Sequence, residues 1–248
     1  MDTILRINMS GNGGPTISKE PLGEYAGLGG RAFTSKVVST EVPPTCHPLS
    51  ADNKLVIAPG LLSGTTAAMS GRLSVGCKSP LTGGIKEANA GGQAGQTLAR
   101  LGYAAIILEG AAPANACYKV LINKDGVQIS DAAEYKGLLN YDLIEKIKPV
   151  YGEKVAVMSI GPAGEMKMAA ATVAITDREM RPSRHAGRGG NVVAVQPLLE
   201  LVERPVAVDP DERLERLTRL HENEVGHIHQ VVNGPKPNGV QPVLKPER

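Results

Sequence analysis

The chain has 248 residues, 42% of them apolar, and its 27 basic and 25 acidic side chains leave a net charge of +2. That is enough apolar material for one large domain, or one domain with an appendage. The near balance of charge, a single Phe and no Trp argue against a nucleic-acid surface.

No apolar run approaches the roughly 18 residues that a spanning helix needs. The start, Met1-Asp2-Thr3-Ile4-Leu5-Arg6, lacks a basic lead followed by an apolar segment, so no secretory signal is expected. Together these point to a cytoplasmic protein with no membrane contact. Cys46, Cys77 and Cys117 are far apart and form no Cys-x-x-Cys pair, so neither a zinc ribbon nor an iron–sulfur motif is encoded. Reduced, partly buried thiols are expected.

In chain order, residues 4–8 alternate as a strand and residues 10–15 form a glycine-rich turn. Gly27-Leu28-Gly29-Gly30-Arg31 leads into a helix over 32–38, and Pro43, Pro44 and Pro48 mark a loop. Residues 55–58 form a short buried strand, and Pro59-Gly60 begins a loop that runs through Ser63-Gly64-Thr65-Thr66. A strand follows over 72–77, then a turn over 79–84. The stretch 93–101 reads as a helix whose first turn abuts Gly91-Gly92, presenting free N–H groups to an anion.

Strands over 118–122 and 127–130 flank Lys124-Asp125-Gly126, a hairpin signature. Asn140 is expected to cap a helix over 141–148 that Pro149 stops, before a strand over 155–160. Strands outnumber helices, which favours an α+β class with antiparallel sheet over a doubly wound fold. Residues 1–208 form the main domain. Residues 209–231 read as a charged amphipathic helix with Leu214, Leu217 and Leu220 on one face, and 232–248 as a Pro/Gly-rich tail.

Two glycine–arginine segments resemble copies of one device. The first is Ser70-Gly71-Arg72, a strand, then Asn89-Ala90-Gly91-Gly92; the second is Arg184-His185-Ala186-Gly187-Arg188-Gly189-Gly190 after residues 168–175. Arginine offers forked donors to phosphate or carboxylate, and glycine lets backbone amides approach a ligand. Two such cradles, centred on Arg72 and Arg188, suit one large anion gripped from both sides. The bland alternative is an arginine bonding carbonyls at a glycine turn. Gly91-Gly92-Gln93-Ala94-Gly95 lacks the Gly-Lys-Ser/Thr of a nucleotide P-loop. His221, His227 and His229, spaced six and two apart, do not share a helical face. Glu109 and Glu165 are assigned turn or cap duties, not catalysis.

These segments, with Gly29-Gly30-Arg31, Lys78-Ser79-Pro80-Leu81-Thr82-Gly83, the run 102–110, Ser159-Ile160-Gly161-Pro162-Ala163-Gly164-Glu165 and Ala186-Gly187-Arg188-Gly189-Gly190, fall in an order that resembles the N-terminal domain of the tungsten-containing aldehyde:ferredoxin oxidoreductase family. The resemblance covers about residues 1 to 208. It implies an α+β domain of two related halves that forms a platform for tungsten (or molybdenum) held by two pyranopterins, with their phosphates joined through magnesium.

By that resemblance, Arg72, Asn89 and Gly91 would bind one pterin. Arg184, His185, Gly187 and Arg188 would serve the other, and the carbonyls of Asn89 and His185 would ligate the magnesium. The chain departs from the family at His185, usually Ala, at Thr176 to Ser183, and at Asn191 to Val195. The resemblance further implies a longer protein whose remainder carries a [4Fe–4S] cluster. This chain would then be one component of a split aldehyde-oxidising enzyme that passes electrons to ferredoxin, with the cluster on a partner chain. The alternatives are a non-catalytic stand-alone pterin-binding-like module and a truncated relic.

Overall fold

The computed structural model describes residues 1–11, 13–182, 184–186 and 198–203, the last two segments as backbone only. All of the described residues fall within one compact unit, Met1–Val208. The expected amphipathic helix, the Pro/Gly-rich tail and His221, His227 and His229 all lie outside the described residues.

The first sheet begins with a hairpin, β1 (Thr3–Asn8) and β2 (Thr16–Pro21). A 3-10 turn, Gly23–Tyr25, leads to α1 (Gly30–Glu41), followed by β3 (Lys54–Pro59), β4 (Leu73–Lys78) and β5 (Ile85–Ala90). Helix α2 (Ala94–Arg100) then returns the chain to β6 (Tyr103–Glu109). Strand β6 enters the middle of the sheet, in the order β2-β1-β6-β3-β4-β5, parallel to β1 and antiparallel to β3.

The second sheet repeats this order. Its elements are β7 (Tyr118–Asn123), β8 (Gly126–Asp131), a 3-10 turn Ala133–Tyr135, α3 (Asn140–Tyr151), β9 (Val155–Ser159), α4 (Gly161–Glu165), β10 (Val173–Ile175), β11 (Arg184–Ala186) and β12 (Leu198–Glu203). Read from the β8 edge the order is β8-β7-β12-β9-β10-β11, with β12 parallel to β7. Both sheets are therefore mainly antiparallel, each with one parallel pair around its inserted strand. Few helices accompany them, in keeping with an α+β class.

A short sequence echo marks the equivalence. Glu24-Tyr25-Ala26-Gly27-Leu28 and Glu134-Tyr135-Lys136-Gly137-Leu138 occupy the same place after each hairpin. Tyr25 and Tyr135 are buried, and Gly27 and Gly137 turn the chain at φ 77° and 76°, where a side chain would be strained.

Alternation along the strands decides the layers. Leu5 and Ile7 of β1 join Ile57, Val75, Ile106 and Leu108 in a core that also contains Val120, Ile122, Ala156, Met158, Val173 and Ile175 of the second sheet, with Leu98 of α2. On the other face of the first sheet, Ile4, Val56 and Ile107 pack under Phe33, Val37 and Val38 of α1. Leu143, Ile144 and Ile147 of α3 cover Val155 and Val157 likewise. Each such fully buried aliphatic or aromatic side chain contributes about 1.5–3 kcal/mol. Among the described residues, no helix is long and apolar enough to cross a membrane.

Helix α3 departs from expectation at both ends. Leu139 is the N-cap and supplies no side-chain bond, while Asn140 is the first helical residue. The Asn140 amide oxygen instead accepts from Ser159 Oγ at 3.1 Å. Pro149 lies inside the last turn, and the helix runs on to Tyr151 before Gly152, at φ 75°, closes it by donating to Lys148 O. Proline's fixed φ is helical, but it forfeits the bond to Glu145 O and crowds that carbonyl, on a turn exposed enough for water to reach it.

An ion network ties the ends of the first sheet's elements together. Arg6 of β1 bonds Glu20 at 2.9 Å, Glu41 at 2.8 Å and Glu109 at 2.9 Å. Lys54 also bonds Glu109, and Tyr25 donates to Glu41 at 2.7 Å. Burial alone would raise the Glu41 carboxyl, but the hydrogen bonds from Arg6 and Tyr25 more than reverse it and leave it below its ordinary range. Glu109, bonded to Arg6 and Lys54, is thus a structural residue.

Candidate functional site

Arg72 is the residue just before β4, and Asn89 is the penultimate residue of the neighbouring strand β5. Antiparallel pairing sets Leu73 opposite Ala90 and Ser74 opposite Asn89, so the exposed guanidinium lies alongside the end of β5. Its Nε donates to the Asn89 side-chain oxygen, and Nη2 approaches the Asn89 carbonyl at 3.4 Å. Asn89 Nδ2 donates in turn to Ser74 Oγ at 3.1 Å. Gly91 follows, with nothing within 4 Å of where a Cβ would stand.

The main chain around Arg72 is held from below. Gly60 N donates to Arg72 O at 3.1 Å, and Ser63 Oγ donates to Ser70 O at 2.6 Å. Gln96 of α2 accepts from Gly64 N and donates to Ser70 Oγ at 3.2 Å. A Cβ on Gly95 would come within 2.9 Å of Gly71 O and 3.2 Å of Arg72 O, so glycine is what allows α2 to sit against this segment. Gln96 carries no motif signature, and only the coordinates reveal its clamp.

The second expected device falls partly outside the described residues. Arg184 and His185 are in β11, paired with β10 so that His185 lies opposite Ala174 and Ala186 opposite Val173. Asn89 and His185 therefore hold equivalent strand positions, and β11 lies against β5. The arginines are not equivalent: the position matching Arg72, just before the fourth strand of the repeat, is Thr172. The two segments are copies in their strand ends, not in their arginines. Gly187 and Arg188 lie outside the described residues, and nothing is described of the Arg184 and His185 side chains.

The segment after β10 is a closed loop. Asp177 accepts from the N–H groups of Glu179 and Arg181, each at 3.0 Å, and pairs with Arg181 Nε at 2.9 Å. The Thr176 carbonyl stands 2.7 Å from where a Cβ on Gly92 would lie, so the first double glycine abuts the exit of β10. Glu165 accepts the Gly137 N–H through both oxygens at 2.9 Å, holding the turn before α3. Burial pushes the Cys77 thiol up to about 12; burial, then the Glu165 and Asp131 charges, push Cys117 up to about 11. Neither is a nucleophile at neutral pH. Among the described residues, no group of three or more His, Cys, Asp or Glu side chains could hold a metal.

Residues 4–195 match the family model described as the aldehyde ferredoxin oxidoreductase N-terminal domain. The chain belongs to that family. Tungsten-containing aldehyde ferredoxin oxidoreductases are similar to it: 41% identity over 191 residues for that of Pyrococcus horikoshii, covering 75% of this chain and 30% of the relative. For Thermococcus kodakarensis the figures are 36% over 215 residues, 85% and 33%. The chain thus spans about a third of the length of the curated relatives it matches. Among solved structures it is similar to the active site complex BamBC of benzoyl coenzyme A reductase in complex with 1,5-dienoyl-CoA, with a TM-score of 0.73 and 26% identity. That match covers 98% of this chain and 36% of the other.

Membership implies a tungsten- or molybdenum-pterin cofactor. The described first-half residues fit one. Arg72 offers a cation with directed donors beside a glycine whose open side admits a flat ligand. The Asn89 carbonyl has two lone pairs, of which the long Arg72 bond occupies one.

Proposed function

We propose that the β5 edge forms one wall of a site for a bis-pyranopterin tungsten (or molybdenum) cofactor, in one component of a split aldehyde-oxidising enzyme. The observation that carries this reading is the Arg72 guanidinium fixed beside Asn89 and the open Gly91, at an edge against which β11 lies. Arg72 binds a pterin phosphate by charge-assisted bonds. The Asn89 carbonyl, and that of His185 at the equivalent strand position, would hold a magnesium ion beside the cofactor. Arg184, Gly187 and Arg188 serve the second pterin. When bound, the metal supplies two-electron redox chemistry, and the protein supplies position and charge. A partner chain carrying a [4Fe–4S] cluster would supply the path for electrons to ferredoxin.

A partner surface is available at the same ends of the strands. The loop between β3 and β4 exposes Leu62 (50%) and Met69 (95%), and the equivalent loop before β10 exposes Met166 (72%) and Met168 (53%). Apolar side chains grouped around a polar site favour burial by another polypeptide.

The test is to purify the full chain with its neighbours from its native cells, then measure tungsten by elemental analysis and pterin by fluorescence after oxidation. Stoichiometric metal and pterin with a cluster-bearing companion are expected. Arg72→Ala, which removes bonds worth about 1.5–3 kcal/mol, is expected to lower cofactor retention by about tenfold to a hundredfold. A metal-free chain that binds no pterin and has no companion would instead support the relic.

A further inference from the structure

We infer that Ser74 is a positioning residue for Arg72, acting through the Asn89 side chain. The inference rests on the reading of Arg72 as a ligand-binding cation but goes beyond it, because no ligand contact is assigned to Ser74.

Ser74 is fully buried in β4, in direct cross-strand register with Asn89. A buried hydroxyl must have a hydrogen-bond partner, and Ser74 Oγ accepts from Asn89 Nδ2 at 3.1 Å. Arg72 Nε can only donate and so takes the amide oxygen, while the bond to Ser74 Oγ anchors the amide nitrogen and with it the whole side chain. With Nδ2 committed inward to Ser74, the amide oxygen faces Arg72 and accepts from its Nε. Rotating the amide by half a turn would set an N–H₂ against a guanidinium N–H, donor against donor.

The chain of constraint therefore runs from the core outward: Ser74 anchors Asn89, and Asn89 holds one edge of the guanidinium. Arginine's fork is planar and rigid, so holding Nε also sets the direction of the donors that Asn89 does not use. An exposed arginine would otherwise sample many rotamers, and ordering it on binding would weaken affinity. In the second sheet Ala174, which carries no hydroxyl, occupies the position opposite His185.

The experiment reads the arginine directly. In the full chain, the Arg72 Nε–H resonance is assigned by nitrogen-15 NMR and its solvent-exchange rate compared between wild type and Ser74→Ala, with thermal unfolding reporting that both are folded. The expected result is an exchange rate at least about tenfold faster in the variant, the equivalent of losing one such bond, together with a shift of that resonance. An unchanged resonance and rate in folded Ser74→Ala would overturn the inference. Ser74→Cys keeps the side chain's size with a far weaker acceptor, and the same loss is expected there should the alanine variant not fold. Pterin and tungsten content, measured separately, tests the cofactor reading: a wild type without cofactor but with an ordered Nε–H refutes that reading and leaves the Ser74 relay standing.

Discussion

Gly91 and Gly92 are neighbours with opposite physical reasons for being glycine. Gly92 has φ 119° and would place a Cβ 2.7 Å from the Thr176 carbonyl, whereas a Cβ on Gly91 meets nothing within 4 Å. Gly92→Ala is expected to cost about 2 kcal/mol or more, through backbone strain and the clash. Gly91→Ala is expected to leave stability within about 0.5 kcal/mol while reducing pterin retention. Urea midpoints of the two variants check the contrast. The thiols give a second residue-scale expectation. With Cys77 and Cys117 pushed up by burial to about 12 and about 11, a disulfide reagent near neutral pH should modify half-buried Cys46 first, and the other two only on unfolding. Arg72 and Gly91 could be picked out from the chain alone because they stand in motifs. Ser74 could not, because a serine in an apolar strand looks the same whether it orients a ligand group or merely fills space.

Among elements, strands with alternating or continuous apolar runs, β1, β3 and β9, were visible as sequence patterns to within a residue or two. Strands β2 and β5 were not. Thr16–Pro21 is almost wholly exposed and Ile85–Ala90 carries Lys86, Glu87 and Asn89, so neither shows the apolar period that marks a half-buried strand. Both are edge strands, defined by backbone pairing with one neighbour rather than by what they bury. The ion network at the base of α1 carries a pH dependence. Glu41 is lowered from its ordinary value of 4.5, so its contribution is complete above that value and is lost as the pH falls through its lower folded value. Denaturation midpoints should fall as the pH drops from about 6 to about 3, and Glu41→Gln should flatten that decline while lowering the midpoint near neutrality.

At the scale of the whole molecule, the two sheets share one core, with Leu5, Ile57 and Ile106 packed in the same cluster as Ile122, Met158 and Val173. Residues 1–111 expressed alone should therefore expose that apolar face and associate or remain loosely packed, which size-exclusion chromatography and near-ultraviolet circular dichroism would show. A well-packed monomeric fragment would contradict the shared core. The common strand order escaped sequence reading because the echo around Tyr25 and Tyr135 is five residues long, while the rest of each half satisfies the same pairings with different side chains.

The inserted strand has a consequence for how the chain is made. Tyr103–Glu109 occupies the slot between β1 and β3, yet it leaves the ribosome after every other strand of its sheet. Until it arrives, the β1–β2 hairpin and the β3–β5 meander have no common neighbour, and two unsatisfied backbone edges face each other across a gap one strand wide. Closure of that gap joins segments about a hundred residues apart, such as Ile7 and Leu108, a slow kind of contact to form. Nascent chains stalled before residue 103 should consequently be protease-sensitive throughout, and acquire protection in a single step once the missing strand has emerged.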